Sequence, residues 1–156
     1  MKPSIIRQPL VNNDIPSYVS GFVDGEGCFC VSINPRKTLK TKWEIRPSFS
    51  VSQNQDRSEV LEMMKQYFEC GTMRRDYSDK TLKFEVRSLS NLVEKIIPHF
   101  EKFPLYSSKQ KSFDIFKDVC LRMERKEHHN KEGIEKIIRL AQSINKGRRK
   151  YQLKKI

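Results

Sequence analysis

Two acidic residues separated by one glycine mark the most unusual short segment of the sequence, YVSGFVDGEG, which runs over 18–27. Asp24 and Glu26 fall at the end of a predicted helix, where a carboxylate meets the negative pole of the helix dipole. A nearby cation offsets that unfavourable interaction, and carboxylate oxygens are ligands that Mg²⁺ prefers. Two acids in contact with solvent are the simpler interpretation, and these residues alone leave both open.

Gly21 and Gly25 lie four residues apart in the same segment, and therefore on one face of the predicted helix. Each glycine costs a helix about 1 kcal/mol relative to alanine, so two at this spacing require a reason. One reason is the close approach of another backbone, as in the G-x-x-x-G pattern, which is only weakly diagnostic outside membranes. A glycine-rich helix end is the alternative.

The charge of the chain favours a polyanionic partner. The 156 residues contain 31 Lys and Arg against 19 Asp and Glu, which gives a formal net charge of +12. Nucleic acid or an anionic membrane surface suits this excess, although solubility alone also accounts for it. The length is typical of one domain with its own core, and no apolar run is long enough to span a bilayer.

The cysteines and the amino-terminal residues predict an intracellular protein. Cys28, Cys30, Cys70 and Cys120 include no C-x-x-C pair, and the first two cannot bond to each other in an extended strand. Residues 1–17 lack the continuous apolar stretch of a secretory signal. We therefore expect reduced thiols.

Hydrophobic periodicity divides the chain into helices and antiparallel hairpins. Alternation predicts strands over 28–34, 41–52, 72–76 and 81–88. Helical spacing predicts helices over 15–24, 57–70, 89–100, 109–125 and 131–145, the third broken near Pro98 and the fourth capped by Ser108. This order predicts an α+β fold. Pro47 cannot donate to a ladder, so we expect an edge position or a bulge there.

Each predicted strand has one apolar and one polar face. In the first, Phe29, Val31 and Ile33 alternate with cysteines, Ser32 and Asn34. A solvated outer face is the ordinary explanation. In a chain of charge +12, such strands also suit the base edges in a DNA major groove, where Arg pairs with guanine and Glu accepts from cytosine. Lys and Arg in the turns suit phosphates.

The segment VSGFVDGEG, over 19–27, aligns without a gap with the nine-letter motif of the LAGLIDADG homing endonucleases, which this chain resembles. The strand after it, FSVSQNQDR over 49–57 and KQK over 109–111 resemble further segments of that family. The likeness covers about 18–116, and Val19 and Ser20 replace the motif's Leu and Ala. Since the motif occurs once, the chain is similar to the homodimeric branch.

The resemblance implies an αββαββα core with a saddle of antiparallel sheet and extra carboxyl-terminal helices. It implies metal-dependent hydrolysis that cuts both strands of a long double-stranded DNA target at a specific site. Glu26 takes the place of the metal-binding acid, helped by the Gly25 carbonyl, with Mg²⁺ as the metal and Mn²⁺ as a substitute. Asp24 takes the motif's other acidic position, whose role is structural.

Three further positions match residues of the family's active site. Gln53 and Arg57 match polar residues that order water near the scissile phosphate. Lys109 matches a basic residue that stabilises the transition state or activates water. A two-fold dimer through 18–25 brings two copies of Glu26 together, and its expected interface residues are Val19, Gly21, Phe22 and Gly25.

The expected DNA contacts are the polar residues of each strand together with the basic residues of the turns. A single bulge would move part of this set to the other face of the sheet. They are Ser32, Asn34, Arg36, Lys37, Lys40, Lys42, Glu44, Arg46, Ser48, Ser50, Arg74, Arg75, Lys83, Glu85 and Arg87.

Two alternatives share this fold, namely a maturase-like protein that binds intron RNA and assists splicing, and a DNA-binding protein without cleavage. The four active-site positions together favour the endonuclease, because a binder does not need them. Genes of this kind occur in organelles (chloroplast or mitochondrion) and in bacteria, so either compartment is expected. We predict an amino-terminal arm over 1–14, one endonuclease domain over 15–146 and a basic tail over 147–156.

Overall fold

A four-stranded antiparallel sheet, covered on one face by helices, makes up the computed structural model, which describes residues 14–144. The strands are β1 (Gly27–Pro35), β2 (Trp43–Asn54), β3 (Thr72–Asp76) and β4 (Thr81–Val86), in the order β1-β2-β4-β3. The helices are α1 (Ile15–Glu26), α2 (Glu59–Phe68), α3 (Leu89–Asn91), α4 (Ile97–Lys102), α5 (Lys109–Glu124) and α6 (Lys131–Ile144). The predicted α+β order is confirmed, whereas the arm up to residue 13 and the tail lie outside the described residues.

Strand β2 holds the sheet together because it pairs with β1 along one half and with β4 along the other. Pro47 pairs with Val31 in an unbroken register and lies beyond the end of β4, so β2 has a single neighbour at this point. The expected edge position is therefore confirmed, and no bulge interrupts the alternation of faces.

Helix α1 runs two residues further than predicted. Its start is capped by Asp14, whose carboxylate accepts from the Ser17 N–H at 3.1 Å, with Pro16 in the first turn. At its end the Gly27 N–H donates to the Val23 carbonyl, while Gly27 itself is extended and begins β1. The helix thus passes into the strand with no intervening loop.

The core lies between the sheet and the helices, and Phe29 of β1 is at its centre. Its ring packs against Phe49 of β2 and against Phe100, Phe113 and Phe116, with ring centroids 5.3–5.4 Å apart. Helix α6 adds a further buried apolar face that includes Ile134, Ile137, Ile138 and Ala141. No helix within 14–144 is both long and apolar enough to span a bilayer.

The segment around Pro98 stays helical, so the expected break is wrong. Residues Leu92–Ile96 form one π-helical turn between α3 and α4, and the Ile97 N–H donates to the Leu92 carbonyl. A proline ring clashes with an ordinary preceding turn and lacks an N–H, and the wider π-turn accommodates both defects.

A buried polar network ties α1 to α2 and α4 through His99, which is 6% exposed. The Ser20 hydroxyl donates to the Phe103 carbonyl at 2.7 Å, so it accepts from His99 Nε2 at 3.0 Å. His99 Nδ1 then accepts from the Tyr67 hydroxyl at 2.9 Å. Burial lowers the pKa of His99 to about 4, which keeps the ring neutral.

Because folded His99 is neutral, we predict that the free energy of unfolding falls as the pH decreases from about 6.5 toward 4. An unfolded histidine with its ordinary pKa of 6.5 binds a proton in this window, whereas folded His99 does so only at about 4. The free energy of unfolding should drop by roughly 2–3 kcal/mol, measured by urea denaturation across the window. His99→Gln cannot titrate and should flatten the dependence, so equal slopes in the two proteins contradict the assignment.

Candidate active site and nucleic-acid interface

The residues expected to do chemistry meet where α1 becomes β1. Glu26 is the last residue of α1 and is exposed, as is Gly25 before it. Gly27 pairs with Val51 of β2, and Gln53 lies two residues beyond Val51. The register therefore brings Gln53 to the same end of the sheet as Glu26.

Lys109 reaches this junction from the first residue of α5. Its ammonium donates to the Val23 carbonyl in the last turn of α1 at 2.9 Å, across a sequence separation of 86 residues. A cation at the carboxyl end of a helix interacts favourably with the helix dipole. This bond fixes a positive charge near Glu26.

Asp24 also links the end of α1 to the start of α5, but here the charged side chain comes from α1. Its carboxylate accepts from the N–H groups of Tyr106 and Ser107, at 3.1 and 3.0 Å, and from the Ser107 hydroxyl. The hydrogen bond from that hydroxyl is the main cause of the lowered pKa of Asp24. The Ser107 oxygen in turn accepts from the Lys109 N–H at 3.1 Å. Ser108 occupies the N-cap position of α5, as expected, but its side chain makes no capping hydrogen bond.

Arg57 follows β2, four residues after Gln53. It ends a 3-10 turn over Gln55–Arg57 and is exposed. Within the described residues no group of three or more His, Cys, Asp or Glu could hold a metal ion. One chain thus brings a single glutamate to the junction, with the Gly25 carbonyl beside it.

The outer face of α1 carries the two glycines. Among residues 14–144, a Cβ added at Gly21 or Gly25 meets no atom within 4 Å, so packing within this part of the chain does not require either glycine. Tyr18, 51% exposed, shares this face and stacks on Phe22 with ring centroids 6.3 Å apart. Val19 is fully buried, so its expected place in an interface is wrong.

Helix geometry explains this correction. At about 100° per residue, positions 18, 21, 22 and 25 share one face, and 19 and 23 share another. Tyr18 lies three residues before Gly21 and seven before Gly25, a spacing that places it on the glycine face. Our list of interface residues omitted it.

The polar face of the sheet is continuous and faces away from the helices. Its members pair across strands, for example Ser32 with Arg46, Asn34 with Glu44 and Lys83 with Arg74. Arg36, Lys37, Lys40 and Lys42 lie exposed in the turn between β1 and β2. In that turn the Lys42 ammonium donates to the Lys37 carbonyl at 2.9 Å.

The structure changes the list of expected DNA contacts at four positions. Arg75 pairs with Leu82 and so lies on the opposite face from Arg74, which removes it from the polar face. Ser50 and Glu85 are 7% and 8% exposed, because Ser50 has neighbours on both sides and Glu85 is one of them. Ser52 pairs with Lys83 on the polar face, and the expected contacts omitted it although the strand predicted over 41–52 included it.

Acidic residues of the polar face are paired with its arginines. Glu44 contacts both Arg36 and Arg46, the latter at 3.1 Å, and Glu85 contacts Arg87 at 3.0 Å. Desolvation acts to raise the pKa of Glu44, but Arg46 and Arg36 together hold that pKa below its usual value.

All four cysteines are reduced thiols, as expected.

Comparison with known proteins matches this geometry to one family. The family model for LAGLIDADG endonucleases matches residues 19–120. A curated relative, probable intron-encoded endonuclease 2 of Neurospora crassa, is 32% identical over 133 residues, which are 85% of this chain and 29% of the relative. The chain belongs to the LAGLIDADG endonuclease family.

Solved structures agree with that assignment. The homing endonuclease I-TnaI is 38% identical, with a TM-score of 0.79, and the match covers 85% of this chain and 88% of that one. I-SmaMI, solved bound to an uncleaved DNA target in the presence of calcium ions, is 27% identical with a TM-score of 0.82. This chain spans 48% of I-SmaMI and less than a third of the Neurospora relative.

The contacts of Asp24 predict a measurable loss of stability in Asp24→Asn. An amide replaces one acceptor oxygen by a donor that faces the N–H groups of Tyr106 and Ser107 before α5, so the free energy of unfolding should fall by about 1–2 kcal/mol in urea denaturation. Asp114→Asn is the control, because this acid lies on α5 and accepts from the Gln110 side chain, at 2.9 Å. Equal losses in both variants contradict a capping role for Asp24.

Proposed function

We propose that this chain is a site-specific endonuclease that acts as a homodimer and hydrolyses phosphodiester bonds in both strands of double-stranded DNA. The observation that carries the proposal is the exposed face of α1, whose two glycines lead directly to Glu26. Family membership and the basic charge of the chain support the same conclusion.

A second copy of α1 is the partner that this face suits. Two glycines cost the helix about 1 kcal/mol each, and no neighbour in the described part of the chain needs them. A two-fold axis places the same surface of both copies in contact, so Tyr18 and the glycines of one helix face those of the other. Each of two DNA strands then has one Glu26 beside it. I-SmaMI, whose length is about twice the region matched, supports a paired arrangement.

The donors at the junction fit a hard divalent cation. Mg²⁺ is commonly bound by one or two carboxylates together with substrate phosphates, rather than by a complete protein cage. Glu26 and the Gly25 carbonyl offer oxygen donors only, and we assign them to Mg²⁺, with Mn²⁺ as a substitute. When bound, such an ion supplies Lewis-acid chemistry and a more acidic water.

The remaining residues act through fixed charge and orientation. The Lys109 ammonium, anchored to the Val23 carbonyl, stands where negative charge develops on the phosphoryl oxygens. We assign to the Gln53 amide and the Arg57 guanidinium the ordering of water near the scissile phosphate. Arg57 is exposed in the 3-10 turn that follows β2, and in this proposal bound DNA completes its placement.

DNA lies on the polar face of the sheet in this proposal. The exposed side chains of the face supply base contacts, and the turn between β1 and β2 supplies phosphate contacts. We retain the domain limits 15–146 with an arm before and a tail after. The intron-encoded relative supports an intron-borne gene, and we propose an organelle or a bacterial cytoplasm as the compartment.

Cleavage of a library of candidate duplexes, with sequencing of the cut ends, tests the activity. Glu26→Gln should abolish cutting while binding stays within about tenfold, because only a metal ligand is lost. Chelation of metal should stop the wild type, and added Mg²⁺ or Mn²⁺ should restore it. Glu59→Gln, at an exposed acid of α2, is the control and should cut normally.

Two results of that experiment contradict the proposal. Tight DNA binding without cleavage by the wild type identifies a DNA-binding protein, and preference for intron RNA over duplex DNA identifies a maturase-like protein. Ordinary cutting by Glu26→Gln rejects the role of that residue alone.

Gly21→Val should weaken the dimer without unfolding the chain. Its Cβ meets no atom of residues 14–144 within 4 Å, but the side chain overpacks a helix pair at a cost of about 1–3 kcal/mol. Light scattering should therefore show a dissociation constant raised about tenfold. Lys136→Val places the same side chain on the exposed face of α6 and should leave the dimer intact. A monomeric wild type at micromolar concentration rejects the dimer.

A further inference from the structure

Two glutamates of the polar face lie deeper than the arginines beside them. The side chains of Glu44 and Glu85 are 19% and 10% exposed, whereas those of Arg46 and Arg87 are 59% and 63% exposed. In both pairs the acid and the arginine are two residues apart on the same side of the sheet. Negative charge on a surface that contacts phosphates weakens its sequence-independent attraction to DNA. The presence of these two acids on the polar face therefore needs an explanation.

The two pairs share one geometry. Nε and Nη2 of Arg46 contact Oε2 and Oε1 of Glu44 at 3.1 and 3.2 Å. The same atoms of Arg87 and Glu85 lie 3.0 and 3.1 Å apart. In each case the carboxylate holds the inner edge of the guanidinium by two parallel bonds, an arrangement with strong directional preference.

The outer edge of each guanidinium remains available for recognition. Of its five N–H groups the carboxylate engages two, on Nε and Nη2, which leaves three. Two of these, one on each terminal nitrogen, form the fork that matches O6 and N7 of guanine. Glu44 also contacts Arg36 from the turn after β1, so one carboxylate orients two arginines.

We propose that Glu44 and Glu85 are positioning residues for base recognition, which hold Arg36, Arg46 and Arg87 in orientations that favour guanine over the phosphates of any sequence. This inference rests on the proposed function and replaces the direct contact with cytosine expected for both acids. A mobile arginine reaches the nearest phosphate, whereas a held arginine contributes when a matching base is opposite. The glutamates thus lower affinity for arbitrary DNA and raise selectivity.

The sheet register orders the two sites along the DNA. Glu85 pairs with Ser50, and Ser50 pairs with Cys28, next to the Glu26 end of the sheet. Arg46 pairs with Ser32, five residues from Gly27, or about 16 Å along the strand. Arg87 therefore reads bases nearer the cleavage point, and Arg46 reads bases further out.

Binding selection from a library of fully randomised duplexes tests the proposal, because it requires no known target. In Glu44→Gln the preference for guanine at the outer positions should fall about tenfold. Affinity for unselected duplex should rise about three- to tenfold, because one negative charge is removed and arginines are freed. Glu85→Gln should show the same effects at inner positions. Since Glu85 is buried, Glu44→Gln is the primary variant.

Glu101→Gln is the matched control. Glu101 is paired with Lys117 on the helical side of the molecule, so this variant makes the same charge change and also breaks one ion pair. It should leave the base preferences unchanged.

Three outcomes separate the possibilities. Position-specific loss of guanine preference in Glu44→Gln but not in Glu101→Gln, with tighter binding to unselected duplex, supports the proposal. Tighter binding with unchanged preferences, or equal effects in Glu101→Gln, overturns it and leaves the endonuclease assignment intact. A wild type that binds no duplex overturns the proposed function itself.

Discussion

One short helix has to satisfy two environments at once, and the rest of the structure depends on this constraint. Val19 and Val23 of α1 are fully buried in the core, while Gly21 and Gly25 lie on the outer face, where no atom of residues 14–144 would meet an added Cβ. Because α1 passes into β1 without a loop, any shift of the helix shifts the strand and the end of the polar face. The position of Glu26 is thereby tied to the core.

Two reciprocal interactions keep this helix end in place. Lys109 donates to a carbonyl of α1, and Asp24 of α1 accepts from the N–H groups that precede α5. Each charged side chain stands at the helix end that its sign favours. The buried network of Ser20, His99 and Tyr67 holds α1 one turn earlier, with neutral hydrogen bonds.

The polar face combines a large positive charge with a few well-placed acids. In the proposed function, the lysines of the turn between β1 and β2 attract a polyanion independently of its sequence. The acids are arranged differently, since Glu44 and Glu85 each contact an arginine through two bonds. Attraction and selectivity are assigned in these proposals to different residues of the same face.

The sequence by itself determined the α+β order, the single motif and the strand parity, because periodicity and glycine spacing are local properties. Only the tertiary structure decided between an edge position and a bulge at Pro47, turned Val19 inward, and brought Lys109 to the Val23 carbonyl. The helical path through Pro98 and the pairing of Glu85 with Arg87 also depended on it. These features arise from packing between residues up to 86 positions apart and from the side-chain rotamers that this packing selects. No local pattern encodes either one.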